Sequence, residues 1–271
     1  MFAGTGVGSL PRRRHGIVTS HMEYDCIVLG TGNAALCSAI AAVESGCDPT
    51  RVLIIDKAPV EWAGGNSYFT AGAFRTVHEG LRDLLPVVQS VEKDENRLNR
   101  IDIEPYTKEQ FVEDILRLGD RRSNMTLVEA VAGDSREVMA WLAESVGVGF
   151  AFSSHRQAYE VEGRLKFWGG LVLATQGGGK GLIENLLRKV KELGIQIRWE
   201  TTVVELMVEH GECVRGVKVT DSHHREKQEA LKARAVILAC GGFEANEDMR
   251  VKYLGPSWDR ARVSTSSYRR D

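Results

Sequence analysis

Apolar residues along this chain fall into solid runs near both ends and into helical spacing between them. Tyr24–Leu29 and Arg51–Asp56 each read as a strand buried on both faces. Between them, Ala34 to Gly46 is rich in small residues at helical spacing. The segment from Lys57 to Arg75 is a loop crowded with Gly, Asn and Ser, and Val87 to Tyr106 is polar enough to predict a solvent-facing excursion. Thr107 with Gln110 predicts a capping box that opens a helix over Lys108–Leu118, and Thr126 with Glu129 predicts the same for Leu127–Val146. A further helical pattern runs from Gly181 to Leu193. Short strands follow at Ile195–Trp199, Thr202–Val208, Val214–Val219 and Leu231–Ala239, separated by polar turns. The pattern as a whole predicts an α/β fold with a Rossmann-type core, a helical insertion over about residues 103–174, and a β-rich return segment.

The first strand, turn, helix and second strand carry the chemistry. The turn reads Gly30-Thr31-Gly32-Asn33-Ala34-Ala35, and the second strand ends in an acid, Asp56. That order is the mononucleotide-binding half of a dinucleotide fold. Gly30 permits the tight turn. Gly32 lets backbone N–H groups approach a pyrophosphate that a Cβ would push away. Ala34 or Ala35 lets the helix lie close to the strand. The helix N-terminus adds unpaired donors and a positive dipole end. Asp56 can accept from ribose hydroxyls, and its charge opposes a 2′-phosphate. Further on, the paired glycines and short polar side chains of Gly64-Gly65-Asn66-Ser67 and Ala71-Gly72 predict backbone lying against a ligand, where a plain turn cluster would look much the same. Gly177-Gly178-Gly179-Lys180 looks like a phosphate loop but fails its spacing, since Gly181 follows the lysine where Ser or Thr should stand.

Composition narrows the class. The chain has 271 residues, 43% hydrophobic and 27% charged, with a net charge of −2. This suits a globular protein and gives no reason to expect nucleic acid as a partner. No apolar run approaches the roughly 20 residues of a membrane span. The five cysteines show no metal-ligand or disulfide-framework spacing, so no metal is expected, and Cys26 and Cys240 read as buried small hydrophobes in strands. A reducing compartment fits, and the cytoplasm is the expected location. Residues 1–22, with Arg12, Arg13 and Arg14, read as a flexible tail. Their glycines and Pro11 do not favour the amphipathic helix of a mitochondrial presequence, the other possibility. The adjacent His223 and His224 read as a solvated hairpin loop.

Four blocks in order, Gly30–Ala35, Gly64–Gly72, Phe167–Leu182 and Ile237–Asn246, resemble the flavoprotein family of fumarate reductase and succinate dehydrogenase. The stretch from Ala239 through Asp259 is most similar to its FAD-dependent tricarballylate dehydrogenase branch. The resemblance covers about residues 23–262. It implies FAD as cofactor, with the pyrophosphate on Gly30, Gly32, Asn33 and Ala34 and the adenosine ribose on Asp56 with Lys57 nearby. Gly64, Gly65, Asn66 and Ser67 would line the diphosphate and ribityl region, and Ala71 and Gly72 would lie near the isoalloxazine ring. The backbone at Val203 would approach the adenine, and Gly241 and Gly242 would close the site.

The implied activity is hydride transfer between flavin N5 and a small di- or tricarboxylate, with an electron-transfer protein as a further partner. In the family, the capping domain, the substrate-binding residues and the general acid come after the segment matching Gly241-Gly242. The sequence runs only to Asp271, and Ser264 to Arg270 lacks the expected Asn-Thr-Gly-Asp-Gly block. The expectation is therefore a C-terminally truncated FAD-binding domain over 23–262 with a non-family tail over 263–271. A catalytically inactive FAD-binding fragment is the alternative function. No catalytic residue is assigned. His78 reads as a surface histidine, His155 and Arg156 read equally as a solvated loop or as facing substrate, and Arg75 as a possible carboxylate contact.

Overall fold

The computed structural model describes residues 23–89, 94–223 and 227–261. The expected tails at 1–22 and 263–271 and His224 lie outside them. From its N-terminal side the chain forms β1 (Tyr24–Leu29), α1 (Asn33–Glu44), β2 (Val52–Ile55), β3 (Ala73–Phe74), α2 (Leu81–Leu84), α3 (Glu95–Leu98) and β4 (Ile101–Ile103). The middle holds α4 (Lys108–Leu118), α5 (Met125–Trp141), β5 (Phe150–Phe152), α6 (Ser154–Gln157), β6 (Ala158–Val161), β7 (Arg164–Phe167) and β8 (Leu173–Thr175). The last third forms α7 (Gly178–Glu192), β9 (Gln196–Arg198), β10 (Thr201–Glu209), β11 (Cys213–Asp221), β12 (Gln228–Leu238) and α8 (Glu247–Leu254).

The main sheet runs in the order β10-β11-β12-β1-β2-β9. β12, β1, β2 and β9 are parallel, while β10, β11 and β12 form an antiparallel meander. β12 is long enough to serve both. Gln228 to Lys232 pair with β11, and Ala233 to Leu238 pair with β1. The solid apolar runs are explained by burial on both faces. Val28, Val52 and Ile54 pack under Leu36 and Ile40 of α1 and Leu186 and Val190 of α7. Ile27, Leu29, Leu53 and Ile55 face Val217, Val219 and Leu231 of the meander. Each such side chain contributes about 1.5–3 kcal/mol. Ala35 and Ala39 are fully buried, so α1 can lie close to the sheet.

Local signals and structure agree at Thr107, whose side chain accepts from Gln110 N–H while Gln110 accepts from Thr107 N–H, the expected capping box. They disagree at the next helix. α5 begins at Met125, and Asn124 is its cap, accepting from Leu127 N–H at 3.2 Å. Asn is a better N-cap than Thr and stood two residues earlier. The excursion from Val87 to Tyr106 is not uniformly solvent-facing. Val87, Val88, Ile101 and Tyr106 are buried, and β4 joins β7 in parallel. The segment 103–174 holds the two long helices α4 and α5, and also β5 to β8, which build two small sheets, β3-β8-β5 and β4-β7-β6. Cys26 is buried as expected, but Cys240 is exposed. The last pair of β12 is Leu238 with Leu29, and Cys240 lies beyond the sheet. Among the described residues no helix is long and apolar enough to cross a membrane.

Candidate functional site

The parallel strands point their carboxyl ends to one edge, and the sheet is extended there in two directions from β1, toward β2 and toward β12. Ligands of open α/β sheets bind outside such a switch point. The chain leaves β1 through Gly30, whose N–H donates to Ile55 O at 2.7 Å. Gly30 has φ +105°, and a Cβ there would stand 2.6 Å from Ala239 O. Its glycine is demanded by the fold itself. Gly32 is different. It caps α1 with ordinary extended backbone, and a built Cβ meets only Gly64 O, at 4.0 Å. The space before it is open, at the mouth of a helix whose first amides have no intrahelical acceptor and whose first turn carries no acid. A pyrophosphate fits that cradle, and a side chain would fill it.

The second glycine pair closes on the first. Gly32 and Gly64 form a parallel bridge, and a Cβ on Gly65 would come 3.3 Å from Gly32 Cα. Gly64 has φ +105° and no room for a side chain beside Ile183. Asn66 is exposed and Ser67 half-buried on the short turn that follows. Asn33 and Ala34 form the first turn of α1. The Asn33 amide oxygen accepts from the Cys37 thiol at 3.5 Å, and burial pushes that thiol up to about 11.

Asp56 is buried, 6% exposed, at the end of β2. Its Oδ2 accepts from the Thr31 hydroxyl at 2.5 Å and its Oδ1 from Ala58 N–H at 2.9 Å. Sequence reasoning missed Thr31, although a hydroxyl inside a glycine turn was the available signal. Lys57 is exposed, and its carbonyl accepts from Ser222 Oγ at 3.1 Å. Ser222 in turn lies 3.0 Å from Thr202 Oγ1, which leads to Val203. Val203 sits on β10, the outer strand of the sheet, where the register slips before Glu205.

Ala71 and Gly72 lie against the start of α7. Thr175 N–H donates to Gly72 O at 2.8 Å, and a Cβ on Gly72 would stand 2.1 Å from Thr175 Oγ1. Gly241 and Gly242 are exposed beyond β12. Gly241 has φ +81° with open space around it. The structure thus gathers Gly30, Gly32, Asn33, Ala34, Asp56, Gly64 and Gly65 at one edge. The phosphate-loop lookalike at Gly177–Lys180 is filled by protein, with a Cβ on Gly179 falling 1.9 Å from Ser67 O.

The remaining candidates resolve individually. Arg75 does meet a carboxylate, but one of this chain: its Nη1 donates to Asp114 Oδ2 at 3.1 Å and to Tyr106 OH at 3.0 Å. The hydrogen bond from Tyr106, with help from Arg117, holds Asp114 below the usual carboxylate range. His155 is exposed on α6. His78 is not a surface residue. It is 2% exposed, because its backbone pairs with Tyr106 and carries the ring inward. Its Nδ1 accepts from Gly80 N–H at 3.3 Å, Nε2 makes no hydrogen bond among the described residues, and the Gly169 backbone carbonyl lies near the ring. Burial pushes its pKa down, against the opposing pull of that carbonyl and of Asp83 and Glu79. Among the described residues no group of three or more His, Cys, Asp or Glu could hold a metal ion.

Comparison with known proteins bears on the fold and the cofactor. The FAD binding domain family matches residues 95–261, more than half of the chain. Urocanate reductase of Eggerthella lenta is 28% identical over 265 residues, which is 96% of this chain and 38% of that protein. A 3-oxosteroid 1-dehydrogenase of Mycobacterium tuberculosis is 46% identical over a shorter stretch of 80 residues, 28% of this chain and 14% of that protein. Among solved structures, the open conformation of a flavocytochrome c3 fumarate reductase superposes with a TM-score of 0.62 at 26% identity, over 86% of this chain and 36% of that one. The chain therefore spans less than two fifths of the length of these relatives. Glycine cradle, sheet topology and family match together place this chain in the FAD-binding domain family, with FAD as its cofactor.

Proposed function

We propose that this chain is the FAD-holding part of an oxidoreductase that exchanges hydride with a small di- or tricarboxylate. The observation that carries the reading is Gly32. Nothing in the chain's own packing requires a glycine there, whereas a pyrophosphate at the helix mouth does. In this reading the Gly30–Ala34 turn holds the pyrophosphate, and Asp56, with Lys57 nearby, holds the adenosine ribose. Gly64, Gly65, Asn66 and Ser67 line the diphosphate and ribityl chain, with Ala71 and Gly72 toward the ring. The Val203 backbone borders the adenine, and Gly241 and Gly242 border the return of the chain. Bound flavin supplies the hydride chemistry at N5, and the chain supplies position and electrostatics.

The carboxylate class follows the relatives named for fumarate and urocanate, both unsaturated acids. The tricarballylate-like stretch from Ala239 to Asp259 supports the finer assignment. A steroid is the second substrate class, favoured by the 46% identity with the 3-oxosteroid dehydrogenase. An electron-transfer protein as partner and a cytoplasmic location belong to the same proposal. The test is to purify the 271-residue chain, identify the released flavin, and assay dye-coupled turnover with fumarate, tricarballylate and a 3-oxosteroid. Bound FAD with carboxylate turnover supports the first reading. Steroid turnover replaces it with the second. Bound FAD without turnover on any of them leaves the FAD-binding fragment that does no chemistry.

A further inference from the structure

Asp56 is fixed more tightly than a surface acid needs to be. Its N–H donates to Arg198 O at 3.0 Å and its carbonyl accepts from Thr201 N–H at 2.9 Å, so its backbone is held from β9 and β10. Only the side-chain torsions remain, and two donors set them: Ala58 N–H on Oδ1 and Thr31 Oγ1–H on Oδ2. Thr31 is 1% exposed. A buried hydroxyl needs an acceptor, and the β-branched side chain has few rotamers in which to find one. An ionised carboxylate offers about four lone-pair sites. The chain fills one on each oxygen and leaves about one more on each. A ribose diol presents two adjacent O–H donors, which matches that remainder.

We infer that Thr31 is a positioning residue that turns the free acceptor sites of Asp56 toward the ribose hydroxyls and so makes this site selective for a nucleotide with an intact diol. The inference rests on the reading of Asp56 as ribose acceptor given above. A purely structural bond between the ends of β1 and β2 would be largely redundant, because Gly30 N–H already donates to Ile55 O at 2.7 Å. Thr31 touches the acid and not the reacting atoms, so its effect should appear in nucleotide selectivity.

The experiment uses the full chain stripped of flavin, with FAD titrated by fluorescence and ADP compared with 2′-deoxy-ADP and 3′-deoxy-ADP as competitors. Thr31→Val keeps the shape and removes the donor. It should weaken FAD about tenfold, as expected for one hydrogen bond to a charged group, and bring the ADP to deoxy-ADP ratios close to one. Thr31→Ser should keep both properties. In an Asp56→Asn background, adding Thr31→Val should change affinity less than about twofold, because the two residues act as one unit.

An unchanged ratio in Thr31→Val, while Asp56→Asn loses it, would overturn the inference and leave the ribose reading standing. A ratio that survives Asp56→Asn would remove the ribose reading, and the inference with it. If Thr31→Val yields no soluble protein, Thr31→Ala reads the same ratio. Failure of both to fold would assign Thr31 a structural role and overturn the proposal.

Discussion

Two helices of this molecule open on glycine-rich segments that look alike on paper. α1 follows Gly30-Thr31-Gly32, and α7 follows Gly177 and begins Gly178-Gly179-Lys180-Gly181. Both are strand-to-helix turns, and both offer a helix N-terminus. They differ in what the missing side chains would meet. A Cβ on Gly179 would lie 1.9 Å from Ser67 O, and one on Gly181 would lie 1.9 Å from Gln176 O. The glycines of α7 exist so that backbone can touch backbone. At Gly32 the nearest atom is 4.0 Å away. A glycine kept where the protein has room for a side chain is a glycine kept for something else, and the contrast turns an ambiguous motif into a site.

The comparison can be broken most directly at α7. Gly179→Ala forces a methyl group into the Ser67 carbonyl, so we expect a loss of about 3 kcal/mol or more in stability, read by denaturant unfolding of flavin-free protein. A loss below about 1 kcal/mol would mean that the packing at α7 is slack and the contrast false. Gly32→Val is the mirror experiment. Unfolding of the flavin-free protein should shift by no more than about 1 kcal/mol, while FAD affinity in a fluorescence titration should drop by two orders of magnitude or more, equivalent to about 3 kcal/mol or more. Full flavin occupancy in soluble Gly32→Val would sink the pyrophosphate placement. Asp56→Ala should weaken FAD by less, about 1.5–3 kcal/mol for lost hydrogen bonds to a charged acceptor, measured in the same titration.

The smallest effect lies outside both turns, at a buried histidine. His78 is buried with the Gly169 backbone beside it, and its pKa is pushed below the ordinary 6.5 by that burial. Above pH 6.5 the ring is neutral in both folded and unfolded chains and contributes nothing to pH dependence. As pH falls through 6.5 the unfolded chain gains a proton that the folded one refuses, so stability is lost until the lower folded value is reached. The slope from this group cannot exceed about 1.4 kcal/mol per pH unit. His78→Gln should flatten the loss of stability between pH 7.5 and 5.5. An equally steep loss in the variant would place the acid sensitivity elsewhere.

What could be read from the sequence was mostly local or solidly apolar. β1, α1 and β2 were legible because burial on both faces leaves unbroken runs, and the Thr107–Gln110 box was legible because both partners lie within one turn. The β4-β7-β6 sheet was not. Its strands are short, its outer face carries Asp102, Arg164 and Lys166, and β4 pairs with a strand some sixty residues further on. His78 looked like a surface residue because the pairing with Tyr106 that buries it is likewise non-local. At the site, Asp56 and the glycines had local signatures. Thr31 offered only a hydroxyl inside a glycine turn, and its partner appears only when the ends of β1 and β2 are brought side by side.

The shared strand β12 has a consequence for how this protein comes to be folded. β1 cannot gain its second parallel neighbour until residue 233 meets residue 24 and residue 238 meets residue 29. During synthesis that partner emerges about 10–40 s after β1, at ordinary rates of chain elongation. Through that interval β1 carries an open, apolar edge of the kind that recruits foreign strands. A topology closed by its most distant pair is also one of high contact order, and so of slow folding. Substitutions in β12 that weaken its register should therefore reduce the yield of soluble protein before they measurably lower the stability of the molecules that succeed.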